Sequence, residues 1–196
     1  LLDAAGITAA RQLEVSSTAA IAAIRENMAF PVVMKVVGPI HKTEVGGVLL
    51  GIENEAQAVE AFNQLMRIKN ATSVLIQEMV VGEELYCGAV KQGGFGHVVL
   101  CGLGGVFLEL LNDTASALAP MSRQEVMGMI TSLKGYALIE GYRSKKGLDK
   151  EKFIDVIMRV GALVHIAPEI AEIDLNPIKA TENSMVVVDV RICIEK

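Results

Sequence analysis

The sequence predicts a mixed fold of helices and strands, of the α+β or α/β class, divided into two lobes that each contain both kinds of element. Helical and strand-like hydrophobic periods alternate along most of the chain. A Gly-Gly-Phe-Gly turn at 93–96 separates two runs that are typical of antiparallel strands. A soft boundary near Glu83 and Glu84 divides the chain into a small lobe, about 17–80, and a large lobe, about 81–196.

The small lobe is predicted to alternate between helix and strand. A helix over 17–27 begins with Ser and Thr, and a β-branched strand over 30–37 follows it. A second strand covers 48–52. An amphipathic helix over 54–70 has an Asn cap and acidic residues in its first turn, and it leads into a buried strand over 73–80.

The large lobe is predicted to contain antiparallel strands and two long helices. The strands cover 84–92 and 97–103, and the helices cover 122–134 and 148–167. At the C-terminus, EIAEIDLNPIKA and SMVVVDVRICI read as a hairpin of two strands joined by Thr-Glu-Asn.

Composition excludes several classes of protein. The 196 residues are 52% hydrophobic and carry a net charge of -5, which suits one large domain or two small lobes with real cores. No apolar run approaches the roughly 18–20 residues of a membrane span. The absence of Trp and of any basic tract argues against a nucleic-acid surface. Three separated cysteines without a CxxC motif favour the cytoplasm, and the start, LLDAAGITAAR, reads as a cut piece of a longer chain.

Two cationic or nucleophilic features lie close together in the small lobe. Lys35 interrupts an apolar strand, where it either reaches solvent at a sheet edge or binds a phosphate. The loop that follows contains His41, Lys42 and Glu44, and an imidazole can accept a phosphoryl group near neutral pH. Gly46 and Gly47 then allow backbone amides to approach a ligand closely, although a glycine pair alone is more often a flexible turn.

The end of the strand over 73–80 is a candidate base-binding segment. Free backbone groups at a strand end, with apolar side chains beside them, suit the edge of an adenine ring. The following carboxylate, Glu84, is able to accept both ribose hydroxyls. The alternative is an ordinary hinge with solvated acids. The candidate segment consists of Gln77, Glu78, Met79 and Val80.

The terminal hairpin carries oxygen ligands within hydrophobic β sequence. Asp174 and Asn176 lie on one predicted strand, and Asp189 and Arg191 lie on the other. Carboxylate and amide oxygens suit Mg²⁺, and an adjacent guanidinium on the same strand face would complete a phosphoryl-transfer clamp. The alternative is a turn at Asn-Pro with a structural salt bridge between Asp189 and Arg191.

Two further polar residues have simpler expectations. His97 begins a strand after the glycine turn and is expected to be a surface or hairpin residue. Asp113 either touches the metal site or caps a turn.

Taken in order, seven segments resemble the ATP-grasp domain of the NDP-forming acyl-CoA synthetases, the family of ADP-forming acetate–CoA ligases and relatives of the succinyl-CoA synthetase β subunit. The resemblance covers nearly the whole chain and implies an ATP-grasp fold with the nucleotide between antiparallel sheets. The segments are FPVVMKVV, IHKTEVGGV, IQEMVVGEELYCGAV, GLGGVFLELLND, LAPMS, EIAEIDLNPI and VVVDVRI.

The resemblance also implies roles for individual residues. Lys35 would contact phosphate, Gln77 to Val80 would meet adenine, and Glu84 would hold the ribose. Asn176 and Asp189 would bind Mg²⁺. His41 takes the place of the histidine that passes a phosphoryl group to ADP, with Lys42 and the loop amides neutralising charge. One departure is the approach VGPIHK, which is shorter than the SPDILHK of many members.

The implied reaction is acyl-CoA + ADP + phosphate giving acid + CoA + ATP, reversibly, with ATP or ADP and Mg²⁺ as cofactors. CoA-binding and ligase-type modules would lie elsewhere, on the same longer chain or on a partner subunit. Two alternatives stay open. One is a regulatory ATP-grasp module of a protein lysine acetyltransferase, and the other is a different ATP-grasp carboxylate ligase that uses a diffusing acyl phosphate.

Overall fold

The computed structural model describes residues 1–39, 45–105, 112–143 and 146–195. They form two compact units. The smaller unit is Ala10–Val80, and the larger unit combines Leu1–Ala9 with Val81–Lys196. Each unit has its own β-sheet and its own hydrophobic core.

The smaller unit contains a four-stranded antiparallel sheet in the order β1-β4-β2-β3. Its helical segments are a 3₁₀ helix, Thr18–Ala23, followed by α1, Ile24–Asn27, and α2, Glu55–Leu65. The strands are β1, Gln12–Val15, β2, Val32–Val37, β3, Val48–Ile52, and β4, Ser73–Glu78.

Local sequence explains the main elements of this unit. β2 is buried along nearly its whole length because it lies between β4 and β3, and its residues are mostly β-branched. α2 begins where the Asn54 side chain accepts a hydrogen bond from the Gln57 amide, as the Asn cap predicts. Its apolar face buries Phe62 and Leu65 against the sheet.

The larger unit contains a six-stranded antiparallel sheet in the order β10-β8-β5-β6-β7, with β9 paired to the far end of β8. Three helices accompany it in the part of the unit that is described: α3, Arg123–Ser132, α4, Tyr136–Glu140, and α5, Lys150–Ile166. The strands are β5, Glu83–Gln92, β6, Gly96–Leu103, β7, Thr114–Leu118, β8, Ile170–Ala180, β9, Met185–Val187, and β10, Val190–Ile194.

Side-chain caps and one large aromatic residue organise the helices of this unit. Ser122 and Glu125 form a reciprocal capping box at the start of α3. Asp149 caps α5 by accepting from the Lys152 amide. α5 then buries Phe153 completely within the core of the larger unit, so that this helix covers one face of the sheet.

The structure corrects three expectations about secondary structure. The segment predicted as a helix over 17–27 is mostly 3₁₀, with only four α-helical residues at its end. The C-terminal hairpin has its second strand divided into β9 and β10, because residues 188–189 leave the ladder. Strands β1 and β7 and helix α4 were not predicted, since each is short and lacks a clear hydrophobic period.

Within the described residues, no helix combines the length and the apolar character that crossing a membrane requires.

Two cysteines face each other inside the core of the larger unit. Cys87 on β5 and Cys101 on β6 are direct partners in the antiparallel ladder, and both side chains are buried and reduced. Burial raises the pKa of the Cys101 thiol to about 12, and burial followed by the neighbouring Cys101 raises the pKa of Cys87. Cys193 on β10 is only half-buried.

Thiol labelling should therefore separate the three cysteines. Because the thiolate is the reactive form, we expect a chromogenic disulfide reagent at pH 8 to titrate one thiol quickly in the native protein, and all three thiols in denaturant. Cys193→Ser should remove the fast reaction. A native protein with two or more fast thiols would contradict the burial of Cys87 and Cys101.

Candidate functional site

Lys35 lies on an interior strand of the smaller unit. It pairs with Val48 of β3 on one side and with Leu75 of β4 on the other, and only 7% of its surface is exposed. The alternative that this lysine escapes to solvent from a sheet edge is therefore wrong. An ammonium held on a rigid central strand is ordered before any ligand arrives, which favours the binding of an anion.

The glycine loop joins β2 to β3. His41 and Lys42, the predicted phosphoryl acceptor and its neighbour, lie outside the described residues, as does Glu44. Gly46 has φ 66°, and the space beside its Cα is open. Gly47 is anchored, since its carbonyl accepts a 2.8 Å hydrogen bond from the Val36 amide. The described end of the loop thus combines a left-handed glycine with a fixed attachment to β2.

The candidate adenine segment begins inside the sheet and ends outside it. Gln77 is buried near the end of β4, whereas Met79 is exposed beyond the strand. Glu78 already has a partner, because its two carboxylate oxygens accept from the amide and the Nε of Arg11, each at 2.9 Å. The exit of the strand is therefore held by an ion pair, and the backbone at Met79 and Val80 stands past the last ladder position.

Glu84 is the best-defined site residue of the larger unit. It lies on β5 directly opposite Lys179 of β8, and the Lys179 Nζ is 2.8 Å from Glu84 Oε1. The Glu84 carbonyl accepts a 2.7 Å hydrogen bond from the Gly104 amide in the glycine loop after β6. A cavity of about 300 Å³ opens beside these groups, and leucine side chains form its apolar wall. The residues around it are Gly82, Glu83, Glu84, Leu103, Gly104, Leu138, Leu148 and Lys179.

The structure brings Asn176 and Asp189 next to each other. The Asn176 amide donates to the Asp189 carbonyl at 3.2 Å, at the break between β9 and β10. The Asp189 side chain is exposed, and its Oδ1 accepts from the Val190 amide. These are hard oxygen donors of the kind that Mg²⁺ prefers. The described residues contain no group of three or more acidic, histidine or cysteine side chains able to hold a metal.

An acidic cluster lies on β8 beside this pair. Burial, reinforced by the charge of Glu172, raises the pKa of the Asp174 carboxyl, and Arg191 opposes that shift. Burial followed by Asp174 also raises the pKa of Tyr86 to about 12. A bound cation would relieve the repulsion between Asp174 and Glu172, so the cluster favours positive charge at this end of the sheet.

Arg191 contacts this cluster rather than Asp189. It is the ladder partner of Asp174, and its guanidinium lies 3.9 Å from the Glu172 carboxylate. The alternation argument that placed Arg191 and Asp189 on one strand face does not hold, because β10 begins at Val190.

Two polar residues are resolved by their contacts. Asp113 caps a turn, since its carboxylate accepts from the amides of Lys134 and Gly135 at 2.8 and 2.7 Å. Of the two expectations for His97, the hairpin position is confirmed, since it lies at the start of β6, and the surface position is wrong. Its ring is buried, with Nε2 2.6 Å from the Ile170 carbonyl, because β6 continues past the turn into the sheet interior.

Sequence reasoning did not single out Lys179. Its only signal was a lysine in the otherwise apolar end of NPIKA, and its partner Glu84 is 95 positions away in the chain.

Comparison with known proteins places the chain in a family. The model of the ATP-grasp domain matches residues 1–194. The β subunit of the ADP-forming acetate–CoA ligase I of Pyrococcus furiosus is 39% identical over 177 residues, which cover 84% of this chain and 75% of that subunit. The ADP-forming acetate–CoA ligase II of Archaeoglobus fulgidus is 38% identical over 99% of this chain, but the match spans only 29% of that protein.

Solved structures support the same placement. A dinucleotide-forming acetyl-coenzyme A synthetase 1 of Candidatus Korarchaeum cryptofilum, in complex with coenzyme A and Ca-AMPCP, superposes with a TM-score of 0.92 at 35% identity. The superposition covers 99% of this chain and 89% of that one. The same enzyme with coenzyme A and Mg-AMPPCP, whose phosphohistidine segment points towards the nucleotide-binding site, gives 0.87 at 36% identity over 99% and 88% of the two chains.

The predicted fold and family are therefore confirmed. The chain belongs to the ATP-grasp domain family, in the branch that contains the β subunits of the ADP-forming acetate–CoA ligases.

Proposed function

We propose that this chain is the nucleotide-binding, phosphoryl-transferring part of an ADP-forming acyl-CoA synthetase. The complete enzyme would convert acyl-CoA, ADP and phosphate into the free acid, CoA and ATP, reversibly. The observation that supports this most strongly is the match to a separate β subunit, because 75% of that subunit corresponds to this chain. Acid and CoA chemistry would then reside on CoA-binding and ligase-type modules outside it, in the same protein or in a partner subunit.

Residues of the larger unit would bind the sugar and the metal. Glu84 has a carboxylate at the mouth of a cavity with apolar walls, which suits the hydroxyls of a ribose. Asn176 and Asp189 would hold Mg²⁺, which would neutralise the charge of the nucleotide phosphates.

Residues of the smaller unit would bind the base and the phosphates. Lys35 is a buried ammonium on an interior strand and would pair with a phosphate oxygen. Gln77 to Val80 would meet the adenine, using the backbone groups beyond the end of β4. Gly46 and Gly47 would let loop amides approach the transferring group, since Gly46 adopts a left-handed φ and Gly47 is anchored to β2.

The chemical step would be carried by His41. An imidazole nitrogen attacks the γ-phosphorus of ATP, the bond from that phosphorus to the β-phosphate oxygen breaks, and ADP leaves as the imidazole loses its proton. In the reverse direction ADP takes the phosphoryl group from phosphohistidine. Lys42 and the Arg191 guanidinium would offset the negative charge of the group in transfer.

Nucleotide binding through Lys35 can be tested by calorimetry. We expect Lys35→Met to weaken the binding of Mg-ATP by about tenfold to a hundredfold, since a charge-assisted hydrogen bond is lost. Methionine should keep the strand packed, because it has a similar length and is apolar.

Lys69→Met is the matched control, because Lys69 is an exposed lysine of the same unit. It should bind Mg-ATP as the wild type does. Wild-type affinity in Lys35→Met would exclude a phosphate contact at Lys35, and no heat from ATP or ADP with the wild type, with or without Mg²⁺, would overturn the proposed function.

A further inference from the structure

We propose that Lys179 is a specificity-determining residue that recognises the ribose hydroxyls of the nucleotide together with Glu84. This inference rests on the proposed function and deepens it. It assigns the second polar group of the cavity in the larger unit and predicts that the chain distinguishes ribonucleotides from deoxynucleotides.

The pairing of two strands brings Glu84 and Lys179 together. Glu84 and Lys179 are direct partners across β5 and β8, so the backbone fixes the separation of the two side chains. The Lys179 Nζ donates to Glu84 Oε1 at 2.8 Å and lies 3.4 Å from the Gly82 carbonyl. The two side chains are only partly exposed, Lys179 by 22% and Glu84 by 36%. Their polar ends are therefore held in place at the cavity while each keeps a solvent-facing side.

Two glycines of the loop after β6 pack against the other side of the Glu84 carboxylate. Gly105 has φ 58°, and a Cβ at this position would collide with Glu84 Oε2. Gly104 leaves similarly little room, since a Cβ there would be 3.0 Å from the Glu84 Cβ. Lys179 on one side and the loop after β6, with Gly104 and Gly105, on the other thus confine the Glu84 carboxylate. This confinement fixes the orientation of the carboxylate before a ligand binds.

The groups that line the cavity suit a ligand with hydroxyls. Leu103, Leu138 and Leu148 supply apolar wall, and the charged groups shown in contact there are the Glu84 carboxylate and the Lys179 ammonium. An ammonium that a carboxylate already neutralises offers no net positive charge to a phosphate. A pair of neighbouring hydroxyls fits instead, because each hydroxyl both donates and accepts.

Carboxylate and ammonium then have complementary tasks. Glu84 accepts the hydroxyl hydrogens, and Lys179 donates to a hydroxyl oxygen. A nucleotide that lacks one hydroxyl leaves one of these partly buried groups without its ligand partner, which is a stronger basis for discrimination than the loss of apolar contact.

The experiment compares ADP, 2′-deoxy-ADP and 3′-deoxy-ADP by calorimetry on the wild type and on Lys179→Met. We expect the wild type to bind ADP about tenfold more tightly than at least one deoxy form. Lys179→Met should bind ADP about tenfold more weakly while binding that deoxy form within about twofold of wild type, so that the preference disappears.

Two further variants make the result interpretable. Lys91→Met removes a comparable lysine–glutamate ion pair of the larger unit, in which the Lys91 Nζ is 2.7 Å from the Glu195 carboxylate. This pair lies outside the cavity. The Lys91→Met variant should keep the wild-type preference. Lys179→Arg keeps a charged donor and should retain most of the preference. If the ion pair were merely structural, the ratio of the affinity for ADP to the affinity for deoxy-ADP would be the same in every variant.

The outcomes separate the two proposals. Equal binding of all three nucleotides by the wild type, or an unchanged preference in Lys179→Met with an unchanged melting temperature, would overturn the role of Lys179. If Lys179→Met has a lowered melting temperature, the role of Lys179 is judged from the other two proteins instead. These are the wild type and Lys179→Arg, each compared by its affinity for ADP relative to deoxy-ADP. Failure of the wild type to bind any of the three nucleotides would overturn the proposed function, and the inference with it.

Discussion

His41→Ala should abolish the acid-labile phosphate label that the chain acquires from Mg-ATP, lowering it by a factor of about a hundred or more, as loss of the nucleophile requires. His41 is the proposed acceptor of the loop over 39–48, because its imidazole accepts a phosphoryl group near neutral pH, where the Lys42 amine is protonated and not nucleophilic. The measurement is transfer of radioactive γ-phosphate to the protein, followed by acid and alkaline washes, since phosphohistidine is lost in acid and survives alkali.

His165→Ala is the matched control. His165 is exposed in the last turn of α5. This variant should keep the full label. A label that persists in His41→Ala would exclude the relay through His41. Nucleotide binding without any label on the wild type would favour the regulatory function, as in the acetyltransferase-associated modules.

Phe153→Ala should lower the free energy of unfolding of the larger unit by about 3–5 kcal/mol. Phe153 is completely buried on α5, at the centre of the core that joins this helix to the sheet. Truncation would remove the apolar contacts of the ring and leave a cavity, because a helix packed along a six-stranded sheet is poorly able to close the gap. Urea unfolding followed by circular dichroism measures the change.

Phe62→Ala provides the comparison for the smaller unit. Phe62 is nearly as buried, on α2, and belongs to the other core. Because the two cores are separate sets of residues, each substitution should lower the stability of its own unit, which amide hydrogen exchange resolves residue by residue. Equal loss of protection in both units from either substitution would show that they unfold as one.

Hydrophobic periodicity predicted the long helices and strands well because the signals that define them lie within a few neighbouring residues of the sequence. α2 and α5 have buried stripes at helical spacing and side-chain caps, and β5 and β6 are joined by a glycine turn. The 3₁₀ segment over 18–23 has the same alanine and isoleucine composition as an α-helix, so composition does not distinguish the two.

The broken hairpin illustrates a limit of strand prediction. Pro177 lies within β8 and has no amide hydrogen to donate, and the ladder to β5 shifts register near this point. On the other side of β8 the partner strand divides at Val188 and Asp189. The sequence Asn-Pro indicated a local irregularity, but its effect on a neighbouring strand depends on pairing that only the folded sheet defines.

In the candidate site, too, the sequence indicates single residues but not the contacts between them. Single residues with unusual context, such as Lys35 in an apolar strand and Glu84 after the boundary, were identifiable from the sequence. Pairs of contacting residues were not identifiable, because the contact of Glu84 with Lys179 depends on the register between strands that are distant in the sequence. The ion pair that occupies Glu78 arises likewise from β1, a short strand without a clear sequence signal.

The close approach of Gly105 to Glu84 makes position 105 intolerant of a side chain for two separate reasons. A Cβ there would meet the end of the Glu84 side chain, which would have to shift. An L residue would also have to adopt the left-handed φ of 58°, which glycine takes without strain. Removing the carboxylate would relieve only the first of these obstacles, so shortening Glu84 would not by itself make room for alanine at position 105.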